Sequence, residues 1–182
     1  YMMKIGIAGA GGIGSNVAVH LVRTGVTDLK IADFDTIEKS NLNRQFYFHH
    51  QIGASKVDTL KKNLLDINPN GFFHVENIKL DRENMADFFL DCDIVIEAFD
   101  KSKYKSMLIE EVYSQGKIMV SASGIADWDI GNIKIKEIMP NLFVVGDFEK
   151  GIENYKTYSH KVSIAAAMMA GIVLEKGGFY EK

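Results

Sequence analysis

The residue types best suited to chemistry fall between positions 33 and 56, where Asp33, Asp35, Asn41, Arg44 and Lys56 arrive in the order acid, acid, amide, guanidinium, amine. They follow a glycine loop, Gly9-Ala10-Gly11-Gly12-Ile13-Gly14, and a short apolar stretch over 29–32. A carboxylate at a strand end can accept hydrogen bonds from ribose hydroxyls, and an amide with two cations soon afterwards offers donors for a triphosphate. A nicotinamide cofactor carries only a pyrophosphate and has less need of them. The order of types points to a nucleoside triphosphate that reacts.

These residues need a frame to position them. Residues 4–8 predict a strand, and the glycine loop directly after it matches G-x-G-x-x-G, with Asp33 about 20 positions further on. Glycines at 9, 11, 12 and 14 let the backbone turn tightly and approach a phosphate, and the helix beginning there presents unbonded N–H groups to the anion. The same glycines can serve strand–helix packing alone. The helix is expected to run to Thr24 with Val17, Leu21 and Val22 buried and Gly25 as its stop. Asp35 taken alone reads as a solvated strand-end carboxylate.

Ser40-Asn41-Leu42-Asn43-Arg44-Gln45 can be an ordinary polar turn or a donor loop. Phe46-Tyr47-Phe48 reads as packing rather than as a base-stacking platform, and His49-His50 as a solvated or interface pair. Val57, Leu60, Leu64 and Ile67 recur at helical spacing over 54–68, so Lys56 falls in the first turn of a helix. A cation there opposes the helix dipole, which argues that it serves a nearby anion.

Further along, a third strand is expected at 72–75 and a short helix at 82–90. Residues 93–98 form an apolar run of the kind buried on both faces of a parallel sheet. Asp100 follows at its carboxyl end, placed either to coordinate Mg²⁺ or to cap the helix over 101–114. A strand at 117–121, two strands at 130–138 and 142–145 suited to an antiparallel edge, an irregular polar segment at 147–160 suited to a lid, and a closing helix at 162–174 complete the chain. The alternation predicts an α/β fold with a doubly wound, mostly parallel sheet and antiparallel C-terminal strands, with 1–182 as one domain.

Composition narrows the function classes. With 21 basic and 24 acidic residues, net charge −3, there is no overall basic field for nucleic acid or an anionic membrane. No run approaches the roughly 20 apolar residues of a membrane-spanning helix, and no signal-peptide pattern precedes the first strand. The single cysteine, Cys92, allows neither an internal disulfide nor a cysteine cage for structural zinc, so a cytoplasmic setting is expected.

Together, Gly9 to Gly14, Asp33-Phe34-Asp35, the run from Ser40 to Gln45, Gly53-Ala54-Ser55-Lys56 and Asp100 resemble the ThiF/MoeB/HesA family, bacterial relatives of ubiquitin-activating enzymes, and most of all its short ThiF type of thiamine biosynthesis. The resemblance implies a Rossmann-like fold, a homodimer, and ATP- and Mg²⁺-dependent adenylation of the C-terminal glycine of a ubiquitin-fold sulfur carrier protein with a Gly-Gly tail, similar to ThiS. It also implies roles: Gly12 on phosphate, Asp33 on ribose, Asn41, Arg44 and Lys56 on the triphosphate, Asp100 on magnesium. Longer relatives carry Cys-x-x-Cys zinc motifs, which this sequence lacks. Many carry a loop cysteine, absent over 147–160, so chemistry is expected to stop at the acyl-adenylate, with Cys92 an inert core thiol. Relatives also place an amino-terminal arginine in the partner subunit, a place that neither Arg23 nor Arg82 occupies. Two other classes remain compatible with the loop: a nicotinamide-dependent oxidoreductase and a non-catalytic nucleotide-binding module.

Overall fold

The computed structural model describes residues 3–180; Tyr1, Met2, Glu181 and Lys182 of the expected 1–182 domain lie outside the described residues. Seven strands form one sheet. In chain order they are β1 (Ile5–Ala8), β2 (Asp28–Ala32), β3 (Phe72–Glu76), β4 (Ile94–Glu97), β5 (Ile118–Ala122), β6 (Lys134–Met139) and β7 (Leu142–Gly146). Their order across the sheet is β3-β2-β1-β4-β5-β7-β6, every neighbouring pair parallel except β6 against β7. The expected mostly parallel sheet with an antiparallel C-terminal pair is what forms.

The apolar runs explain the layering. β1, β4 and β7 are buried at every residue, so both faces of the sheet are covered at its centre. One face packs against α1 (Gly12–Arg23), α2 (Lys56–Ile67) and α5 (Ser159–Gly177), where Val17, Leu21, Leu60, Ala166 and Met169 meet Ile5, Ile7 and Ile31. The other packs against α3 (Met85–Phe88) and α4 (Ser102–Tyr113) through Phe89, Leu108 and Val112. β6 is exposed along its whole length. Among the described residues no helix is long and apolar enough to cross a membrane.

Three elements differ from the sequence expectation by three residues or more at an end. The short helix shrinks from 82–90 to Met85–Phe88, because Asn84 Oδ1 accepts the Asp81 N–H and Asp81 Oδ1 accepts the Glu83 N–H, both at 2.9 Å, holding residues 81–84 in a turn. β6 starts at Lys134 rather than 130, since Asp129 Oδ1 captures the Gly131 N–H at 2.9 Å. The last helix exceeds 162–174 at both ends; it stops where Gly178 turns left-handed (φ 68°) and the Phe179 N–H reaches Leu174 O at 3.0 Å.

β1 leads through α1 to β2 on one side, whereas β3 returns across the sheet to β4 on the other. The switch point therefore lies between β1 and β4, and the crevice outside their carboxyl ends is where ligands bind in sheets of this kind.

Candidate functional site

The glycine loop leaves β1 at this switch point. Gly9 has φ +101°, and a Cβ there would lie 2.8 Å from Ala98 O, so the loop needs glycine to pass the end of β4. A Cβ on Gly14 would lie 1.8 Å from Gly9 O. Gly14 thus closes the loop onto α1. α1 opens without a side-chain cap at Gly11, leaving its first N–H groups for another acceptor.

Asp33 sits at the end of β2 and reaches back to the loop. Its Oδ2 accepts the Ala10 N–H at 2.7 Å and its Oδ1 accepts the Asp35 N–H at 2.8 Å. Burial pushes this carboxyl above its usual range, against the lowering effect of those two N–H groups. Each oxygen keeps a second lone pair for a hydroxyl donor.

Lys56 opens α2 with its side chain almost fully buried, its ammonium 2.9 Å from Asp35 Oδ2. Asp35 is half exposed, so the solvated strand-end carboxylate expected from the sequence is also an ion-pair partner. Arg44 follows a 3₁₀ turn, Lys39–Asn43, and its Nη1 donates to Asn43 Oδ1 at 2.8 Å and Ser40 O at 3.2 Å. Asn41 caps that turn, its Oδ1 accepting the Glu38 N–H at 2.9 Å. Asp100 is exposed at the end of β4 and makes no hydrogen bond to any described residue, so it does not cap α4.

Three cavities meet here. The first, about 280 Å³, is lined by Gly9, Gly11, Asp33, Lys56 and Asp100, with residues 78–80 along one wall. The second, about 350 Å³, runs between α4 and β6 past Lys105, Ser121, Ser123 and Phe148. The third, about 280 Å³, is lined by Gly12, Arg44, Asp100 and Lys156. Asp100 lines all three. Lys56 and Arg44 therefore occupy different compartments that share Asp100. Asn41 and Gly14 line none of the three.

A lone, exposed carboxylate at the junction suits Mg²⁺, which commonly takes one or two protein carboxylates and completes its shell with water and phosphate oxygens. Among the described residues no three of His, Cys, Asp or Glu converge on one point, so a cage of protein ligands is not what the site offers. Cys92 is buried, and burial pushes its thiol up to about 12, well away from a nucleophile.

Several positioning residues have weak signals in the sequence. Ser15 Oγ donates to Gly11 O at 2.6 Å and accepts the Phe46 N–H at 3.0 Å; Asn16 Nδ2 donates to Gly12 O at 2.7 Å and Arg44 O at 2.8 Å. Buried Tyr47 places its hydroxyl 2.7 Å from Ala10 O and 3.3 Å from Lys56 O. These bonds hold residues 44–47 against the glycine loop and so set Arg44. Ser15 and Asn16, polar where an otherwise apolar helix begins, were a readable signal; Tyr47 was not separable from core packing. The segment expected to be irregular over 147–160 is so only to 158, since α5 begins at Ser159, and it is tied down by the Lys161–Asp147 pair at 2.6 Å, the Lys150–Asp127 pair at 3.0 Å and the Asp127 N–H to Lys156 O at 2.8 Å.

A doubly wound sheet with a glycine loop, a strand-end acid and flanking cations at its switch point defines an α/β protein of the Rossmann kind, a fold class in which ligands bind at that point. Residues 2–137 match the model of the ThiF family, and the chain belongs to that family. It is similar to the adenylyltransferase and sulfurtransferase UBA4 of Candida glabrata, 34% identical over 67% of this chain and 28% of that protein. It is also similar to ubiquitin-like modifier-activating enzyme 5 of Branchiostoma floridae, 30% identical over 68% of this chain and 33% of that one. The chain thus spans about a third of the length of these relatives. Among solved structures, the E. coli tRNA N6-threonylcarbamoyladenosine dehydratase TcdA in complex with AMP superposes with a TM-score of 0.89, covering 97% of this chain and 86% of that one at 19% identity, a likeness of fold.

Proposed function

We propose that residues 1–182 act as a single adenylation domain that activates a carboxylate with ATP. The observation carrying this is the junction at Asp100, where a cavity holding Asp33 and Lys56 meets one holding Arg44 and the start of α1. Family membership and relatives described as an adenylyltransferase and a ubiquitin-like modifier-activating enzyme support the same reading.

In this reading Asp33 takes ribose hydroxyls, the wall at 78–80 lies against the base, and Gly9, Gly11 and Gly12 let phosphates approach the loop. Gly14 shapes that loop, and Asn41 braces the turn that presents Arg44. An incoming carboxylate and a triphosphate repel each other, so Arg44 and Lys56 offset the charge of the approach and of the departing pyrophosphate. Lys56 is held on a half-exposed carboxylate and can turn from Asp35 to a phosphate. Asp100 would hold Mg²⁺, which supplies Lewis-acid neutralisation of phosphate oxygens when bound. The carboxylate oxygen bonds to the α-phosphorus, the bond to pyrophosphate breaks, and the products are acyl-adenylate and pyrophosphate. No protein nucleophile takes part, in keeping with the buried Cys92.

The acceptor proposed is the C-terminal glycine of a ubiquitin-fold sulfur carrier with a Gly-Gly tail, similar to ThiS, in thiamine biosynthesis, with the protein working as a cytoplasmic homodimer. The test is carrier-dependent exchange of labelled pyrophosphate into ATP, followed by mass detection of the carrier adenylate. Exchange with a Gly-Gly carrier is the expected result; its absence with every such carrier would remove the carrier assignment. Stabilisation against heat by NAD and not by ATP with Mg²⁺ would instead favour an oxidoreductase. Binding of ATP and carrier without an adenylate would favour a non-catalytic module.

A further inference from the structure

β4 is apolar except for its last residue, Glu97, which is fully buried at the carboxyl edge of the sheet. A buried carboxylate demands donors, and three converge on it. Oε2 accepts from Ser121 Oγ at 2.6 Å and from the Lys105 ammonium at 2.9 Å, and Oε1 accepts the Phe99 N–H at 2.6 Å. Lys105 also donates to Ala122 O at 3.3 Å. One side chain thus ties the ends of β4 and β5 and the start of α4 to the 98–99 peptide, one residue ahead of Asp100.

That peptide is also held from the opposite side. The Ala98 N–H donates to Ala8 O at 2.9 Å, and Ala98 O packs so closely on Gly9 that a Cβ there would not fit. Residues 98–100 line the first two cavities, and Asp100 reaches the third. Asp100 has no partner of its own among the described residues, so its place is set by the backbone that precedes it. A buried ion pair does little for stability that apolar residues of similar volume would not do. The cluster is therefore better explained by what it orients than by what it stabilises.

We infer that Glu97 is a positioning residue for Asp100: it fixes the turn 98–100 so that the Asp100 carboxylate faces the metal–phosphate region. The inference rests on the adenylation reading above. Outer-shell groups of this kind tune metal affinity through the ligand they orient.

The test is a double-mutant cycle on the full chain with Glu97→Gln, Asp100→Asn and both, reading ATP binding by calorimetry across a Mg²⁺ titration. Glu97→Gln should raise the Mg²⁺ concentration for half-maximal binding by about tenfold or more, the scale on which outer-shell partners act, while ATP binding in EDTA stays within about twofold. The double variant should be no worse than Asp100→Asn alone, because a residue acting through Asp100 has nothing left to orient. Should Glu97→Gln fail to fold, Ser121→Ala removes one bond to the same carboxylate and should shift Mg²⁺ dependence in the same direction by about threefold. Wild-type Mg²⁺ dependence in a folded variant, or losses that multiply in the double variant, would overturn the inference. A wild-type protein that binds no ATP at any Mg²⁺ concentration would bring down the adenylation reading as well, which separates the two failures.

Discussion

Two ion pairs flank the carboxyl edge of the sheet, and they are built differently. Lys56 and Asp35, beside the glycine loop, have side-chain exposures of 8% and 50%; Lys161 and Asp147, at the base of the irregular segment, have 0% and 7%. A pair with one partner in water can give that partner up to solvent at small free-energy change when an arriving anion takes its place beside the buried cation. A pair with both partners buried cannot, since separating it strands a charge away from water. Lys161 also donates to Ala126 O at 2.6 Å, and Asp147 accepts the N–H groups of Glu149 and Lys150, each at 2.8 Å. The first pair is suited to binding; the second fixes the shape of a loop.

The largest effect should come from breaking the closed pair. Lys161→Met leaves the Asp147 carboxylate buried without a countercharge, held only by the Glu149 and Lys150 N–H groups, and should lower stability by about 3–5 kcal/mol. Calorimetric melting should fall by about 2–4 °C for each kcal/mol lost. A melting temperature equal to wild type would mean the loop does not depend on this pair.

Next in size are the losses of chemistry on the open side. Lys56→Ala and Asp100→Ala should each reduce pyrophosphate exchange by about 10²-fold or more, roughly 3 kcal/mol of transition-state stabilisation. Full exchange in either variant would refute the assigned role. The same Lys56→Ala change should lower stability by only about 1 kcal/mol, because Asp35 can turn to water. If it destabilises the fold as much as Lys161→Met, the contrast between the pairs disappears.

The smallest effect is one of pH, and its sign differs between the two regions. Burial would by itself raise the Asp147 carboxyl, but the Lys150 N–H, the Lys161 ammonium and the Glu149 N–H outweigh it and hold the carboxyl below its usual range. Its contribution is complete above the unfolded value of about 4 and is lost as pH falls below it. Asp33 is shifted upward, so its folded form holds the proton more tightly than the unfolded chain, and stability falls as pH rises from about 4 through the folded value. Denaturant unfolding at a series of pH values should show Asp147→Asn flattening the loss of stability on the acid side and Asp33→Asn removing the decline that sets in above it. The same change of slope in both variants would contradict these opposite shifts.

The open side was the more legible of the two in the sequence. Gly9 through Gly14, Asp33 and Lys56 announce themselves by residue type and spacing over short stretches of chain, and a positive charge in a first helical turn has few structural uses. Nothing local marks Lys161 as buried. It reads as a surface lysine near a helix start, and its partner lies 14 residues away across an irregular segment. Glu97 was hidden in the same way, because Ser121 and Lys105 meet it only after β5 and α4 are in place. Asn41 shows the reverse: its Oδ1 caps a turn, as the 3₁₀ geometry of residues 39–43 decides, while its Nδ2, the donor expected for the triphosphate, makes no hydrogen bond to a described residue.

What the sequence determined by itself was the alternation of strands and helices, the mostly parallel sheet and the position of the glycine loop, because these follow from apolar periodicity and backbone freedom within a few residues of each position. Only the tertiary structure decided that Asp100 joins three cavities, that Lys56 rests on Asp35, and that Glu97 and Lys161 are buried. Those facts depend on which distant segments are brought to one edge of the sheet, and desolvation and pairing of charge are properties of that arrangement rather than of any residue alone.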